Sequence, residues 1–240
     1  MTLGQRDNVV VTESEKNISG FSYYEYKYLV PHSYLSGILD ILNEFCGHTD
    51  PYPSGVVDSI YYDTPDEKLL DECMNGNAEK CKFRIRGYGG SYLQIHQKIK
   101  DLSSVNKLKT KIRHIRMAEY GFPHWDELES LKSNDPVFQQ ILYHSRQYGL
   151  LVPSIRVKYF RYRFRVYDYR ITLDTNVEVF SPINGLPRLM SYKIFPNHVL
   201  EIKTREERPK LPFIGLIKLP QVSFSKFLLG VQALNDYGEF

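Results

Sequence analysis

Three neighbouring segments alternate basic residues with apolar or aromatic ones, and this alternation constrains the fold more than any other feature. The segments are 80–88, 91–100 and 107–117. Successive side chains of a β-strand point to opposite faces, so the basic residues of one segment share a face. The pattern predicts three strands that carry rows of cations, such as Lys82, Arg84 and Arg86.

The charge of the chain is segregated along the sequence. The net charge is only +3, from 31 basic and 28 acidic side chains. The basic residues concentrate in 80–116 and 155–170, and the acidic ones in 63–79, 119–135 and 201–207. Segregated charge matters for partners more than the net value does. The mild net charge does not by itself indicate a nucleic-acid partner.

The rest of the chain predicts more strands and a few flanking helices. Abundant Tyr and Phe favour strands, which we expect at 21–30, 56–62, 154–166, 168–179 and, as one strand or a pair, 191–204. Helices are predicted at 32–46, 66–74 and 223–235, and Asp63 is predicted to cap the second of these. A helical stretch in two pieces, HWDELESL and then DPVFQQILYHSRQYG, is predicted at about 124–148. Residues 1–20 are predicted to be a polar tail or to include a poorly fixed first strand. Residues 21–240 are predicted to form a single domain.

The same alternation recurs outside the basic segments. Residues that share a face include Glu25 with Lys27, Arg161 with Arg163, Arg170 with Thr172 and Asp174, and Glu201 with Lys203. In an open sheet such a face would meet water. In a closed barrel of about eight strands it would line the interior.

Two physical arguments favour the closed form. Long faces of a single sign repel themselves, and arginine offers a rigid fork of donors that suits phosphate oxygens. We therefore expect an α+β protein whose antiparallel strands close into a tunnel, with flanking helices, around a condensed anion. Glu25 and Glu201 lie among the cations, where they can hold a divalent metal between protein and phosphate.

Composition excludes several other classes. The three cysteines, Cys46, Cys73 and Cys81, form no CxxC pair, so a disulfide framework and a structural zinc site are disfavoured. No segment approaches the roughly 20 apolar residues of a membrane span, and the N-terminus lacks a signal-peptide core. We expect a cytoplasmic chain without a transmembrane segment; a membrane-bound partner protein stays open.

A set of short strings, taken in chain order, resembles a known family. The strings are YEYKYLV at 24–30, SIYYDT at 59–64, KFRIRGYG at 82–89, KLKTKIR at 107–113, VKYFRYRF at 157–164, RITLDTNV at 170–177, VLEIKT at 199–204 and FSKF at 224–227. Together they resemble the vacuolar transporter chaperone (VTC) domain. This is the polyphosphate polymerase-like branch of the triphosphate tunnel metalloenzymes, a superfamily that also includes CYTH-type phosphatases.

The resemblance implies that the γ-phosphate of ATP is transferred to an inorganic polyphosphate chain, with Mn²⁺ or Mg²⁺ bound. The catalytic residues that it implies are Arg84, Arg86, Lys109, Arg161 and Arg170. The phosphate-binding residues that it implies are Lys27, Lys98, Tyr159, Lys203 and Lys226. The metal ligands would be Glu201 and Glu25.

Two departures from the family pattern keep other functions open. Tyr23 occupies an acidic position of the CYTH signature ExExK, which points away from the CYTH phosphatases. His96 stands where the family usually has Glu, and we interpret it as a structural or phosphate-contacting residue more readily than as a metal ligand. The alternatives are a tunnel triphosphatase and a non-catalytic binder of polyphosphate or nucleotides. A nucleic-acid partner is disfavoured because Glu25 and Glu201 would repel its backbone unless a metal intervenes.

Overall fold

A computed structural model gives the structure, and the chain divides into two compact units. The residues described are 11–17, 24–46, 50–89, 92–100, 105–113, 124–129, 133–183, 186–213, 215–216 and 218–235. Unit 1 comprises Met1–Ile18, Ser59–Arg156 and Pro182–Leu189, and unit 2 comprises Ser19–Asp58, Val157–Ser181 and Met190–Phe240. The single domain expected from the sequence stays a prediction.

The fold is α+β, with antiparallel strands and a few helices. The strands are β1 (Val11–Asn17), β2 (Tyr24–Pro31), β3 (Ser54–Asp63), β4 (Lys80–Gly87), β5 (Tyr92–Lys100), β6 (Val105–Arg113), β7 (Val152–Val166), β8 (Tyr169–Ile183), β9 (Leu186–Ile194) and β10 (Asn197–Thr204). The helices are α1 (Leu35–Phe45), α2 (Lys68–Met74), α3 (Trp125–Glu129), α4 (Pro136–Tyr148) and α5 (Lys226–Asn235). None of the helices described is long and apolar enough to cross a membrane.

In unit 1 the strand order is β1-β6-β5-β4-β3. The apolar residues of β4, β5 and β6 lie on one face, where α3 and α4 cover them. Trp125 of α3 is buried there and makes edge contacts with Tyr62 and Phe83, with ring centroids 4.9 and 5.5 Å apart. Its indole nitrogen donates to Ser145 Oγ of α4 at 3.0 Å, so its polar atom is satisfied inside the core.

The ends of two unit 1 helices follow from local capping. Asp135 accepts hydrogen bonds from the amides of Val137 and Phe138, and Pro136 occupies the first turn of α4. A cap and a proline begin a helix and cannot continue one. The helical stretch predicted at about 124–148 is confirmed as two helices, α3 and α4, and the second begins at this cap. The predicted role of Asp63 is confirmed, because its carboxylate accepts from the amides of Leu69 and Leu70 in α2.

In unit 2 the strand order is β7-β8-β10-β2, and β9 pairs with β8. Helix α1 buries Ile38 and Leu42 against the apolar face of these strands, as its spacing predicts. The segment 191–204 is a strand pair rather than one strand, because β9 ends at Ile194 and β10 begins at Asn197.

The closed tunnel is not confirmed by these pairings. In the described parts of each unit, the strand order does not return to the strand at which it starts. The outer edge of β2 is instead occupied by a short segment of the chain. Tyr28 forms an isolated bridge with Gln221, and the Val222 amide donates to the Lys27 carbonyl at 2.8 Å. Covering an edge in this way satisfies backbone groups without closure.

The remaining sequence predictions agree with the structure within a few residues. Of the predicted tail, Val11–Asn17 forms β1 and pairs with β6, which corresponds to the strand alternative. Tyr167 lies in the turn between β7 and β8 and has a positive φ of 49°. The predicted strand ends at 21–23 and 114–117, and the loop at 101–104, lie outside the described residues.

Candidate functional site

Nine side chains on one face of β4, β5 and β6 form what we call the unit 1 lattice. Register places them in three cross-strand rows, each with one residue per strand. The rows are Lys82–Lys98–Lys107, Arg84–His96–Lys109 and Arg86–Gln94–Lys111. Seven of these nine residues are lysine or arginine, and none is acidic. Like charges directly across a sheet repel, so rows of this composition suit an anionic ligand. On the adjoining strand β1, register places one acid, Glu15, directly across from Lys109.

The centre of the lattice is a hydrogen-bonded chain of Arg84, His96 and Gln94. Arg84 Nε and Nη2 lie 3.2 and 2.9 Å from His96 Nδ1. His96 Nε2 lies 2.9 Å from Gln94 Oε1. Burial lowers the pKa of His96 well below 6.5, and Arg84 and the neighbouring cations lower it further. His96 is therefore neutral at physiological pH.

Strand β3 anchors the arginines of the lattice from the side. Arg84 Nη1 donates to the Tyr61 hydroxyl at 3.3 Å, and the Arg84 guanidinium lies 5.9 Å from the centre of the Tyr61 ring. Arg86 is buried and its Nε donates to Ser59 Oγ at 2.8 Å. Tyr61 and Ser59 are neutral, so these two contacts help to orient the guanidinium groups without adding an opposite charge.

Unit 2 contains a different arrangement, in which each acid lies among cations. We call it the unit 2 cluster, and its members are Glu25, Lys27, Tyr159, Arg161, Asp174, Glu201, Lys203 and Lys226. In one part of it, Lys203 Nζ lies 2.9 Å from a Glu201 oxygen and 3.5 Å from a Glu25 oxygen. Lys27 Nζ lies 2.6 Å from the other Glu25 oxygen. Two carboxylates thus converge on one ammonium group.

Asp174 is the centre of the other part of the cluster. Its carboxylate is completely buried and accepts two hydrogen bonds from Arg161, from Nε at 2.6 Å and Nη2 at 2.8 Å. Lys226 Nζ, at the start of α5, lies 2.6 Å from Asp174 Oδ2. The ring of Tyr159 lies close to both cations, with its centre 5.2 Å from Arg161 Cζ and 4.9 Å from Lys226 Nζ.

Electrostatics keeps these buried acids ionised. Burial by itself would raise the pKa of Glu201, but the charges of Lys203 and Lys27 outweigh it and lower the pKa. The same balance lowers the pKa of Asp174, through Arg161 and Lys226. Conversely, Glu201 and Glu25 overcome burial and raise the pKa of Lys203. The cluster is therefore a set of charged pairs over the physiological range.

The comparison with known families decides the relationship. The VTC domain family matches residues 22–235. The chain belongs to the VTC domain family. No curated protein matches it.

Solved structures of similar fold are distant from this VTC domain in sequence. One is a Hippeastrum protein, first assigned as an adenylyl cyclase and described as having a dominant triphosphatase activity. It is 16% identical, with a TM-score of 0.52 over 88% of this chain and 96% of its own. A second, assigned as an adenylate cyclase from Bacillus halodurans, is also 16% identical, with a TM-score of 0.49 over 84% of this chain and 92% of its own. At 16% identity, the likeness to the Hippeastrum protein shows the fold alone.

Each unit of the VTC domain holds part of the predicted site. The predicted residues in the unit 1 lattice are Arg84, Arg86, Lys98 and Lys109. The predicted residues in the unit 2 cluster are Glu25, Lys27, Tyr159, Arg161, Glu201, Lys203 and Lys226. Arg170 is exposed on β8, directly across from Lys203.

Sequence reasoning missed the residues that hold these cations in place. Asp174 was noted only as sharing a face with Arg170 and Thr172. A cation at the start of α5 is unfavourable against the helix dipole, and Lys226 there pointed to a nearby anion. That anion is supplied by the protein itself, as the carboxylate of Asp174. Asp174 and Lys226 can each be noted in the sequence, but only the structure shows that the two side chains are in contact.

The unit 2 cluster also offers donors that fit a divalent cation bound together with phosphate. The residues that the structure describes contain no group of three or more His, Cys, Asp or Glu placed to hold a metal by themselves. Mg²⁺ usually takes only one or two carboxylates and completes its shell with water and phosphate oxygens. Glu25 and Glu201 provide two carboxylates, and the Lys203 ammonium group lies where they converge. Thr172, directly across from Glu201, has a buried hydroxyl without a hydrogen-bond partner among the described residues.

Proposed function

We propose that this VTC domain is a metal-dependent phosphotransferase of the polyphosphate polymerase type. It would transfer the γ-phosphate of ATP, or of another triphosphate, to a chain of inorganic polyphosphate inside a basic tunnel. The observation that carries the proposal is the unit 1 lattice, where seven cations occupy nine cross-strand positions on one face. Membership of the VTC family supports phosphate as the ligand that balances this charge.

The unit 1 lattice supplies binding and charge stabilisation. A transferring phosphoryl group spreads negative charge over its equatorial oxygens, so positioned cations provide most of the catalysis. Arg84, Arg86, Lys98 and Lys109 hold successive phosphates in this proposal. Arg84 and Arg86 suit the task because neutral groups orient both guanidinium groups without neutralising them.

The unit 2 cluster supplies the metal and further cations. Glu201 and Glu25 would hold Mn²⁺ or Mg²⁺, which neutralises phosphate charge when bound. Lys27, Lys203 and Arg170 bind phosphate oxygens in this proposal. Arg161 and Lys226 act from the position in which Asp174 and Tyr159 hold them. The end of a phosphate chain is already ionised, so it needs no general base to act as the acceptor.

A tunnel triphosphatase is the second candidate. Water in place of the phosphate chain as acceptor would give hydrolysis with the same residues. The described triphosphatase activity of the Hippeastrum protein of similar fold favours this candidate. A third outcome is binding without turnover, for which the neutral His96 in the lattice is the motivating observation.

Incubation with ATP and Mn²⁺, followed by sizing of the products, separates these functions. Polyphosphate chains are the expected product of wild-type protein. Free phosphate alone would indicate the triphosphatase, and binding without turnover would indicate a non-catalytic module.

A carboxylate substitution tests the metal assignment. Glu201→Gln should abolish turnover and retain most tripolyphosphate binding, because it removes a metal ligand and leaves the unit 1 lattice intact. Glu44→Gln, at an exposed position of α1, is the matched control and should keep wild-type activity. Full activity in Glu201→Gln would show that the metal assignment is wrong.

A further inference from the structure

His96 occupies the central position of the unit 1 lattice. It lies on the middle strand and in the middle row, with Arg84 across from it on β4 and Lys109 across from it on β6. Only 2% of the residue is exposed. A change in the charge or hydrogen bonding of His96 therefore acts at the centre of the lattice.

The hydrogen bonds of His96 determine which nitrogen carries the proton. A guanidinium can only donate, so His96 Nδ1 must accept from Arg84 with its single lone pair. Nε2 then carries the hydrogen and donates to the Gln94 amide oxygen. Both ring nitrogens are engaged, and the imidazole is neutral in this arrangement.

This geometry orients Arg84 and leaves part of it available to a ligand. Of the five N–H groups of a guanidinium, one on Nε and one on Nη2 point to His96, and one on Nη1 points to Tyr61. One N–H remains on each terminal nitrogen. Two such donors match the paired oxygens that arginine recognises on phosphate.

A carboxylate in place of His96 could accept the same hydrogen bonds from Arg84, but it would have two further consequences. It would place a negative charge at the centre of the lattice, and its remaining lone pairs would attract a cation. The imidazole does neither, because Arg84 already uses its only lone pair. The lattice thereby keeps the charge of its seven cations.

We infer that His96 is a positioning residue that orients Arg84 and allows the unit 1 lattice to bind phosphate chains without a divalent cation. The inference rests on the proposed function only in taking triphosphate or polyphosphate as the ligand. It divides the chemistry between the units: the unit 1 lattice binds the free anion, and a metal acts only at the unit 2 cluster.

Isothermal titration of the full chain with tripolyphosphate, at fixed ionic strength and in EDTA, tests the inference. Wild-type protein should bind in EDTA. His96→Ala should bind about tenfold more weakly, because Arg84 loses its acceptor. His96→Gln retains an acceptor oxygen and should stay within about threefold of wild type, which a purely structural role for the ring would not produce.

Two further variants sharpen the result. His96→Glu should bind about tenfold more weakly than wild type in EDTA and recover in part when Mn²⁺ replaces EDTA, because the added carboxylate attracts the metal. His144→Ala is the matched control. His144 lies on α4 against Gln97, on the opposite face of the same strand, and its loss should leave affinity unchanged.

The Arg84 side chain gives an independent readout. Its Nε–H resonance in a ¹⁵N spectrum should move in His96→Ala and stay close to wild type in His96→Gln. Equal affinity of His96→Ala and wild type in EDTA would overturn the positioning role. Binding of wild type only when Mn²⁺ is present would overturn the metal independence and leave the proposed function standing. Absence of binding under both conditions would refute both.

Discussion

The unit 1 lattice and the unit 2 cluster come from the same sequence pattern but differ in the signs of their neighbouring charges. Both consist of charged residues at alternate positions of antiparallel strands. In unit 1, register places Lys98 between Lys82 and Lys107, so like charges are neighbours. In unit 2, register places Glu201 across from Lys27 and Glu25 across from Lys203, so opposite charges are neighbours.

The difference shows that register, as well as residue spacing, decides what an alternating strand does. A two-residue shift between β2 and β10 would keep every side chain on its face and would place Glu201 across from Glu25 or Lys27 across from Lys203. Unit 2 would then resemble unit 1 in its self-repulsion. The unit 2 cluster pairs its charges within the protein, whereas in our proposal the unit 1 lattice gains stability from a ligand.

The largest expected effect is the loss of Asp174. Asp174→Asn leaves Arg161 and Lys226 buried with a neutral partner, and removal of one member of a buried ionic group costs about 3–5 kcal/mol. Urea unfolding should show this loss relative to wild type. Asp168→Asn, at an exposed position just before β8, is the control and should change the free energy of unfolding by less than about 0.5 kcal/mol. Equal effects of the two substitutions would remove the contrast between the units.

Tripolyphosphate should stabilise the protein through the unit 1 lattice. At a concentration 100-fold above Kd, a ligand that binds only the folded state adds about 2.7 kcal/mol. Thermal unfolding at low salt, with sodium chloride of equal ionic strength as the control, should show a higher Tm. Lys109→Gln should reduce the rise, and high salt should reduce it further because exposed charges are screened. An unchanged Tm for wild type would contradict anion binding.

The two regions should respond to acid in different pH windows. The folded-state pKa of His96 lies below 6.5, so the unfolded chain binds more protons and stability falls as the pH drops below about 6.5, by up to about 1.4 kcal/mol per pH unit. Asp174 and Glu201 have lowered carboxyl pKa values, so their contribution is lost only as the pH falls below their ordinary values of 3.8 and 4.5.

Single substitutions identify which histidines cause the loss of stability below about pH 6.5. Urea unfolding between pH 7 and pH 5 should show a smaller pH dependence in His96→Gln. His198 in unit 2 also has a pKa lowered by burial and by His32, so His198→Gln should remove a second part of the same slope. A slope in His96→Gln identical to that of wild type would show that His96 is not held neutral.

The smallest expected effect has the opposite sign to the first. Lys98→Gln removes the middle cation of a three-lysine row, and like charges across a sheet cost about 0.2–1 kcal/mol. The ligand-free protein should become more stable by about this amount in urea unfolding and should bind tripolyphosphate more weakly in titration. A loss of stability would show that the row is neutralised within the protein and would weaken the comparison.

Much of the fold could be predicted from local signals. The alternation over 80–88 fixed strand identity because period-two patterning is a property of the chain itself, and the apolar spacing of Ile38 and Leu42 did the same for α1. The helical stretch predicted at about 124–148 corresponds to α3 and α4, because Asp135 and Pro136 are local signals for the start of a helix.

The residue types of the candidate site could be predicted from the sequence, but fewer of the contacts between these residues could be. The family resemblance implies that Arg161 is catalytic and that Lys226 binds phosphate, and the structure shows both bound to Asp174. Their separation in sequence hides this contact, because residues so far apart meet only through the packing of α5 within unit 2. His96 was identified as a departure from the family pattern, but its neutral state depends on burial and on the direction of Arg84.

By itself, the sequence determined which residues share a strand face, where the cations concentrate and which family the chain resembles, because these follow from spacing and order along one chain. The tertiary structure alone decided which faces meet and therefore which charges are neighbours. Coulomb energy depends on the distance and burial of charge pairs, and register and packing set both. For this reason one alternating pattern yields a lattice of like charges in unit 1 and a set of ion pairs in unit 2.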